Sequence, residues 1–481
     1  MKKISKILSV VLSLIMIISA TTITTSAATY SGYCGSNVKW SYNTTNYTLT
    51  ISGTGAMYDY DYFNHPWESH ANNIKKVIIK DGVTTIGDWA FCFCENLTSA
   101  TIGNSVTTIG TQAFWNSGLT SVTIGDGVIV IGIGAFEGCN LTSITLPNSV
   151  TLIDVGAFCG CSFASITLPN SVKVIGARAF SDCRSLENIT IPDSVTTIDA
   201  GAFAYCDSLT SIAIPKSVTT IGSGAFYACS NLSSVIIPDS VTSIGLGAFE
   251  ACAEIKVGSN NKYFSNDENG VLFNKDKTIL LQYPGGNTRK GYTIPDSVKT
   301  IGEWAFYTCQ NITSITIPNG VTTISDESIY HCYSLTNITI PNSVKTIGNS
   351  AFEGCDLADV YYGGTRAQWY GISIGEYNDG LTNATIHYNF HIHDYETIIM
   401  PATCIQNGYT TCVCDCGESY IANILPATGH KDADADAYCD TCDELLCHHS
   451  CHTGGLFWII INFFNMIFGA NRYCECGVAH Y

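Results

Sequence analysis

The stretch IPKSVTTIGSGAFYACSNLSSVI, Ile214 to Ile236, recurs along the chain and decides its architecture. Aligning on its Ala-Phe pair puts Phe91, Phe114, Phe136, Phe158, Phe180, Phe203, Phe226, Phe249, Phe306 and Phe352 in one slot, with Ile329 in the same place. Successive slots lie 22 or 23 residues apart, except for one step of 57. A fixed period of this length marks stacked repeats, and it takes precedence over any local motif.

Each part of the unit has a physical task. Ile212 and Ile214 alternate with small polar residues, which predicts a half-buried strand, and Pro215 ends it because proline cannot donate to a ladder. Ser217 sits in a turn where its hydroxyl can bond backbone groups, and Val218 and Ile221 point back inward. Gly224-Ala225-Phe226 is expected to open one short helical turn with the phenylalanine filling the coil. A single coil cannot bury its own apolar face, so stability must come from stacking. Eleven or twelve coils at about 4.8 Å would form a body roughly 50 to 60 Å long with one parallel sheet.

Cysteine stands three residues after the slot at Cys94, Cys139, Cys161, Cys183, Cys206, Cys229, Cys252, Cys309, Cys332 and Cys355, with Ser117 as the exception. One thiol per coil makes a single-sided column, which lacks the convergence a metal requires. Parallel Cβ vectors about 4.8 Å apart also exceed the usual disulfide span. The column therefore reads as free thiols packed as small apolar groups, each facing a backbone carbonyl.

Repeats of the form IPxSVTTIGxxAFxxCxxLTSI resemble the BspA-like leucine-rich repeats of bacterial surface proteins, over most of the chain. Cys34 to Met57 looks like that family's opening cap, and Tyr361 to Tyr388 like its closing cap. The resemblance implies a leucine-rich-repeat solenoid, mainly β, and adhesion to host or microbial surfaces, but names no ligand. The expected organisation is a signal peptide over 1–28, an N-terminal β cap over 29–74 and a solenoid over 75–390. The solenoid carries an inserted hairpin near 253–298 and a closing cap over 357–390. A Cys/His-rich module over 391–446 and an apolar motif over 447–481 complete the chain.

The leader is read from Lys2, Lys3 and Lys6, the apolar run Ile7 to Ile18, and small residues at Ser26-Ala27-Ala28. That run is shorter than the roughly 20 residues that span a bilayer. The chain is therefore expected outside the cytoplasm, retained at the cell surface. Without those three lysines, 19 basic side chains face 40 acidic ones, which disfavours nucleic acid.

Solvent-side strand positions carry hydroxyls: Ser121 and Thr123, Ser143 and Thr145, Ser165 and Thr167, Ser314 and Thr316, then Asn337 and Thr339. They are the candidate ligand-binding surface for a glycan or an extended protein, against the plainer reading that Thr favours strands and Ser is readily solvated. The aromatics Tyr58, Tyr60, Tyr62, Phe63, His65 and Trp67 could form a hot spot, but Trp67 and Phe63 read better as a plug for the open end of the stack.

The tail has another chemistry, with ten cysteines and eight of the 11 histidines. Cys414, Cys416, Cys439 and Cys442, with His430, are candidate zinc ligands, and Cys447, Cys451, Cys474, Cys476 and His480 bracket the final apolar run. Disulfides are the rival staple for so small a module. Asp432, Asp434, Asp436, Asp440 and Asp443 copy a calcium-loop spacing, but Ala437 stands where glycine is needed, so an acidic linker is preferred. Leu425-Pro426-Ala427-Thr428-Gly429 matches a sortase signal in the wrong context. Leu456 to Phe468 is too short to span a bilayer and too apolar to lie exposed, which makes it a candidate for membrane or envelope contact.

No nucleophile elbow, zinc-protease helix or Gly-rich phosphate loop is found, and no cofactor is required. The sequence thus favours a non-enzymatic, adhesin-like binding protein. A surface-layer scaffold without a specific ligand, and then a hydrolase, are the alternatives.

Overall fold

A computed structural model describes residues 28–61, 64–390, 395–402, 406–414, 419–428, 472–473 and 479–480. The chain divides into two compact units, Met1–Phe390 and His391–Tyr481.

The first unit is a solenoid. Strands Thr29–Tyr33, Val38–Asn43 and Thr48–Gly53 pair antiparallel, and the third then pairs parallel with Lys76–Ile79. From there Ser99–Ile102 and Ser121–Thr123 extend a parallel ladder, one strand per coil. A second ladder, not foreseen in the single-sheet expectation, joins nine short strands from Gly55–Ala56 to Ser243–Ile244. It is built by the residue pair that ends in Ile in each repeat, such as Thr197–Ile198 beside Thr220–Ile221 or Val174–Ile175 beside Leu152–Ile153. Ile221 is fully buried in it, so the inward position Val-x-x-Ile is a strand as well as a core contact.

The Phe slots form a continuous column. From Phe91 to Phe249 each ring stacks on the next, with centroids 5.0 to 5.6 Å apart. The expected helical turn around each Phe is absent, and a series of tight turns replaces it. Ala225 and Tyr227 donate locally to Gly222 and Gly224, whereas Gly224 and Phe226 donate to Leu246 and Ala248 of the next coil. Alternate N–H groups are thus turned along the stack, and left-handed residues at Gly224 (φ 58°) and Ala228 (φ 55°) make that reversal. An α-helix would spend every N–H within the coil and leave the stack without these bonds.

The 57-residue step holds a variant coil rather than an appended hairpin alone. Phe264–Asn266, Leu272–Asn274 and Ile279–Gln282 form an antiparallel meander, and the last strand pairs parallel with Thr300–Ile301. Tyr283 then occupies the Phe slot, 5.2 Å from the ring of Phe306. The apolar core divides at this coil, with Leu272 closing one cluster and Val271 and Phe273 opening the next.

In the second unit Tyr395–Met400, Gly408–Cys414 and Ser419–Leu425 form an antiparallel sheet, and Arg472–Tyr473 pairs with Ala479–His480. Among the described residues no helix is long and apolar enough to cross a membrane.

Candidate functional site

The cysteine column lies inside the solenoid as the pattern predicts. Most of the thiols donate to the carbonyl of a slot residue one coil back: Cys139 to Phe114 at 3.1 Å, Cys183 to Phe158 at 3.2 Å, Cys229 to Phe203 at 3.0 Å and Cys355 to Ile329 at 2.9 Å, whereas Cys252 donates to Glu254. Burial pushes the Cys139 and Cys229 thiols up to about 12, so they stay protonated and unreactive. Ser117 continues the column, 3.4 Å from the Cys139 sulfur. These are structural groups packed inside the coils.

The hydroxyl row is outward but uneven. Ser121, Thr123, Ser143, Thr145, Ser165 and Thr167 are exposed. Ser314, Thr316, Asn337 and Thr339 are only half-exposed, a departure from the expectation of full solvent access. Ser143 and Thr145 fall in no strand, so the first ladder is interrupted between Ser121–Thr123 and Ser165–Thr167. Where the ladder holds, register sets Thr beside Thr and Ser beside Asn: Thr167 opposite Thr190 and Thr316 opposite Thr339, with Ser165 opposite Asn188 and Ser314 opposite Asn337. One strand spacing, about 4.8 Å, therefore separates equivalent hydroxyls.

A shallow groove lies at the end of this row near the N-terminus, lined by Lys80, Asp81, Thr101, Asn104, Thr123 and Asp126 among others. Its floor is set by glycine. Most coils follow the strand with proline, such as Pro147 and Pro169, but these carry Gly103 and Gly125. A Cβ on Gly103 would stand 2.8 Å from the Asp81 carboxylate, and one on Gly125 2.6 Å from Gly103. The close approach lets Asp81 accept from the Asn104 N–H at 2.6 Å and the Asn104 side chain accept from the Asp126 N–H at 3.0 Å. The polar end groups of three coils are thereby held in one line. The hydroxyl pattern did not point to Lys80, Asp81, Asn104 or Asp126; the glycine-for-proline exchange was the available signal.

The N-terminal aromatics divide into buried and exposed members. Trp67 is fully buried, and its indole Nε1 donates to the Ala90 carbonyl at 3.0 Å. His65 stacks on it at 5.5 Å and is itself buried, while Tyr58 is exposed. Phe63 and Tyr62 lie outside the described residues.

Of the candidate metal ligands, Cys414 ends the strand Gly408–Cys414 and His480 lies in Ala479–His480. Cys416, His430, Cys439, Cys442, Cys447, Cys451, Cys474 and Cys476 lie outside the described residues, as do residues 1–27 of the expected leader, Asp432 to Asp443 and Leu456 to Phe468. Among the described residues no group of three or more His, Cys, Asp or Glu is placed to hold a metal ion.

A family model described as the BspA type leucine rich repeat region, in six copies, matches residues 69–139, 129–256 and 287–368. Solved structures with similarity include a leucine-rich repeat protein from Eubacterium ventriosum, 27% identical over 75% of this chain and 78% of its own, with a TM-score of 0.36. A leucine-rich repeat protein from Bacteroides ovatus is 26% identical over 74% of this chain and 99% of its own, with a TM-score of 0.42. A leucine rich cell surface protein from Faecalibacterium prausnitzii is 25% identical over 72% and 98%, with a TM-score of 0.41. The comparison with curated proteins returns no match.

Proposed function

Because the chain belongs to the BspA-type leucine-rich-repeat family, we propose that it is a non-enzymatic binding protein of the cell exterior that holds a glycan or an extended protein on its solenoid surface. The observation that carries this reading is the outward row of hydroxyls at strand spacing, ending in the groove of Asp81, Thr101, Asn104, Thr123 and Asp126. Repeated donors and acceptors on a rigid lattice suit a ligand that is itself repetitive, because each added unit meets the same chemistry. Rigidity also limits the ordering cost on the protein side. Retention at the cell surface belongs to the same proposal and is supported by the export-signal pattern of the first residues.

The test is a screen of the chain against arrays of glycans and extracellular-matrix proteins, followed by Thr101→Lys and Thr123→Lys in the groove. A hit weakened by these substitutions with unchanged stability supports the reading. A hit untouched by them moves the site elsewhere, and turnover of an array member overturns the non-enzymatic assignment.

A further inference from the structure

The turn edge of the solenoid, away from the hydroxyl row, carries a run of aromatic side chains that the repeat pattern does not require. Tyr205 packs edge-on to Tyr227 at 5.4 Å, Tyr227 meets Tyr307 at 6.3 Å, and Tyr307 stacks with Trp304 at 4.7 Å and Tyr330 at 5.4 Å. Tyr205 is exposed and Tyr227, Trp304, Tyr307 and Tyr330 are half-buried.

Between the coils that place Tyr227 and Tyr307 after the slot residue lie two others, and these place Glu250 and Pro284 there. The Glu250 side chain is 8% exposed. Its carboxylate accepts from the Ala228 N–H at 3.2 Å and from the Thr308 hydroxyl. The groups facing it are the Tyr227 phenol, the Cys229 thiol and the uncharged Thr308. Ion pairs among the described residues join Arg184 to Asp182 and Asp207, Lys256 to Glu254 and His387 to Asp359, and none involves Glu250. Further anionic groups border the strip: Glu327 accepts from the Trp304 indole at 2.8 Å, and Glu353 lies near Tyr330. Tyr307 is already stacked with Trp304 and Tyr330, so the ring of the strip most open to a ligand is the exposed Tyr205.

We propose that this edge, from Tyr205 to Tyr330 around Glu250, is a docking surface for a cationic polypeptide segment, whose lysine or arginine side chains lie on the aromatic strip and supply the positive charge that Glu250 lacks. Charge complementarity and aromatic packing select the same ligand, since ammonium and guanidinium groups are attracted both by carboxylates and by π faces. Their aliphatic stems cover ring surface that now meets water. Burial pushes the Glu250 carboxyl up to about 7. A cation seated above it favours the ionised form, so binding expels a proton and tightens as pH rises through neutrality. This surface is separate from the hydroxyl row and stands or falls independently of it.

The test titrates the full chain with a synthetic peptide of alternating lysine and glycine, its aspartate counterpart and a neutral glucan oligosaccharide. Titrations are run at about 0.15 M salt, where long-range attraction to the acidic protein is screened. The proposal expects the lysine peptide alone to bind, roughly tenfold tighter at pH 8 than at pH 5.5. Glu250→Gln keeps the acceptor for Ala228 and should abolish the pH dependence. Tyr205→Ser, at an exposed position, should weaken binding roughly twofold to fivefold. Binding of the lysine peptide that ignores both substitutions is diffuse attraction and overturns the proposal. So does absence of peptide binding, or binding of the oligosaccharide that Tyr205→Ser abolishes.

Discussion

Trp67 lies nearly parallel to Phe91, with ring centroids 5.3 Å apart, so the aromatic column of the repeats ends on an indole instead of on water. Trp40 and Tyr60 then meet Trp67 edge-on at 6.0 and 5.8 Å and seal it from the other side. Trp67→Ala should therefore destabilise the protein by about 3 to 5 kcal/mol, because coils cannot close over the cavity. Denaturant unfolding, read with amide exchange, should show the loss concentrated at the coils of Phe91 and Phe114. Uniform loss along the solenoid would contradict the plugging role.

Tyr283 fills a slot that elsewhere takes phenylalanine, and its hydroxyl is buried without a hydrogen-bond partner. A buried unsatisfied hydroxyl costs about 1 to 3 kcal/mol. Tyr283→Phe should thus raise stability, by about 1 kcal/mol once relaxation is allowed for, whereas Phe226→Ala in an ordinary coil should lower it by about 3 to 5 kcal/mol. A destabilising Tyr283→Phe would show that the hydroxyl has an essential partner.

The repeat made the stacking, the inward Phe and the thiol column legible in advance, because each follows from a residue type at a fixed period. Tyr283 shows where this stops. It stands 23 residues before Phe306, but without the Ala-Phe pair that marks the other slots, since the chain there reads Gln282-Tyr283-Pro284. The second ladder was hidden for another reason: a two-residue strand such as Thr220–Ile221 is too short to show alternation, and only its register with Thr197–Ile198 makes it a strand. The turn around Phe226 looked helical because Gly-Ala-Phe is compatible with a helix locally; its inter-coil bonds to Leu246 and Ala248 are long-range and leave no local signature. The groove depends likewise on three coils meeting, so Asp81, Asn104 and Asp126 carry meaning only together.

Thiols of the column should resist alkylation until the solenoid opens. Cys229 is fully buried and donates to Phe203, so labelling should track global unfolding and not thiol chemistry. Cys229→Ser, which keeps a donor, should cost less than Cys229→Val, which leaves the Phe203 carbonyl only the long bond from the Cys206 N–H at 3.4 Å. Rapid labelling of the native protein would disprove the assignment.

Lysine substitution should separate exposed from shielded members of the hydroxyl row. Thr145 and Thr167 are exposed, so Thr145→Lys and Thr167→Lys should shift stability by no more than about 0.5 kcal/mol. Thr316 is half-buried beside Thr339 in the ladder, and Thr316→Lys should cost more, on the order of 1 kcal/mol. Equal tolerance at all three would argue that the row is uniformly solvated.

Two buried titrating groups give the stability curve opposite slopes on either side of its optimum. His65 is held neutral by burial, with its value lowered from 6.5 to about 4, so the unfolded chain binds its proton first. Stability should therefore fall as pH drops from about 6.5 towards 4. Glu250 is raised from 4.5 to about 7, so the folded chain holds its proton longer; that contribution is complete below 4.5 and is lost as pH climbs through 7. Each shift corresponds to a limit of about 3 kcal/mol. The two can be told apart by substitution. His65→Leu should flatten the acid limb and leave the neutral one, whereas Glu250→Gln should flatten the neutral limb and leave the acid one. Denaturant midpoints of the two variants between pH 4 and 8 provide the measurement, and the difference from the parent chain isolates each group from the other carboxylates. If Glu250→Gln follows the parent at every pH, its carboxyl titrates as an ordinary exposed acid, and the proton-linked docking inferred for the turn edge fails with it.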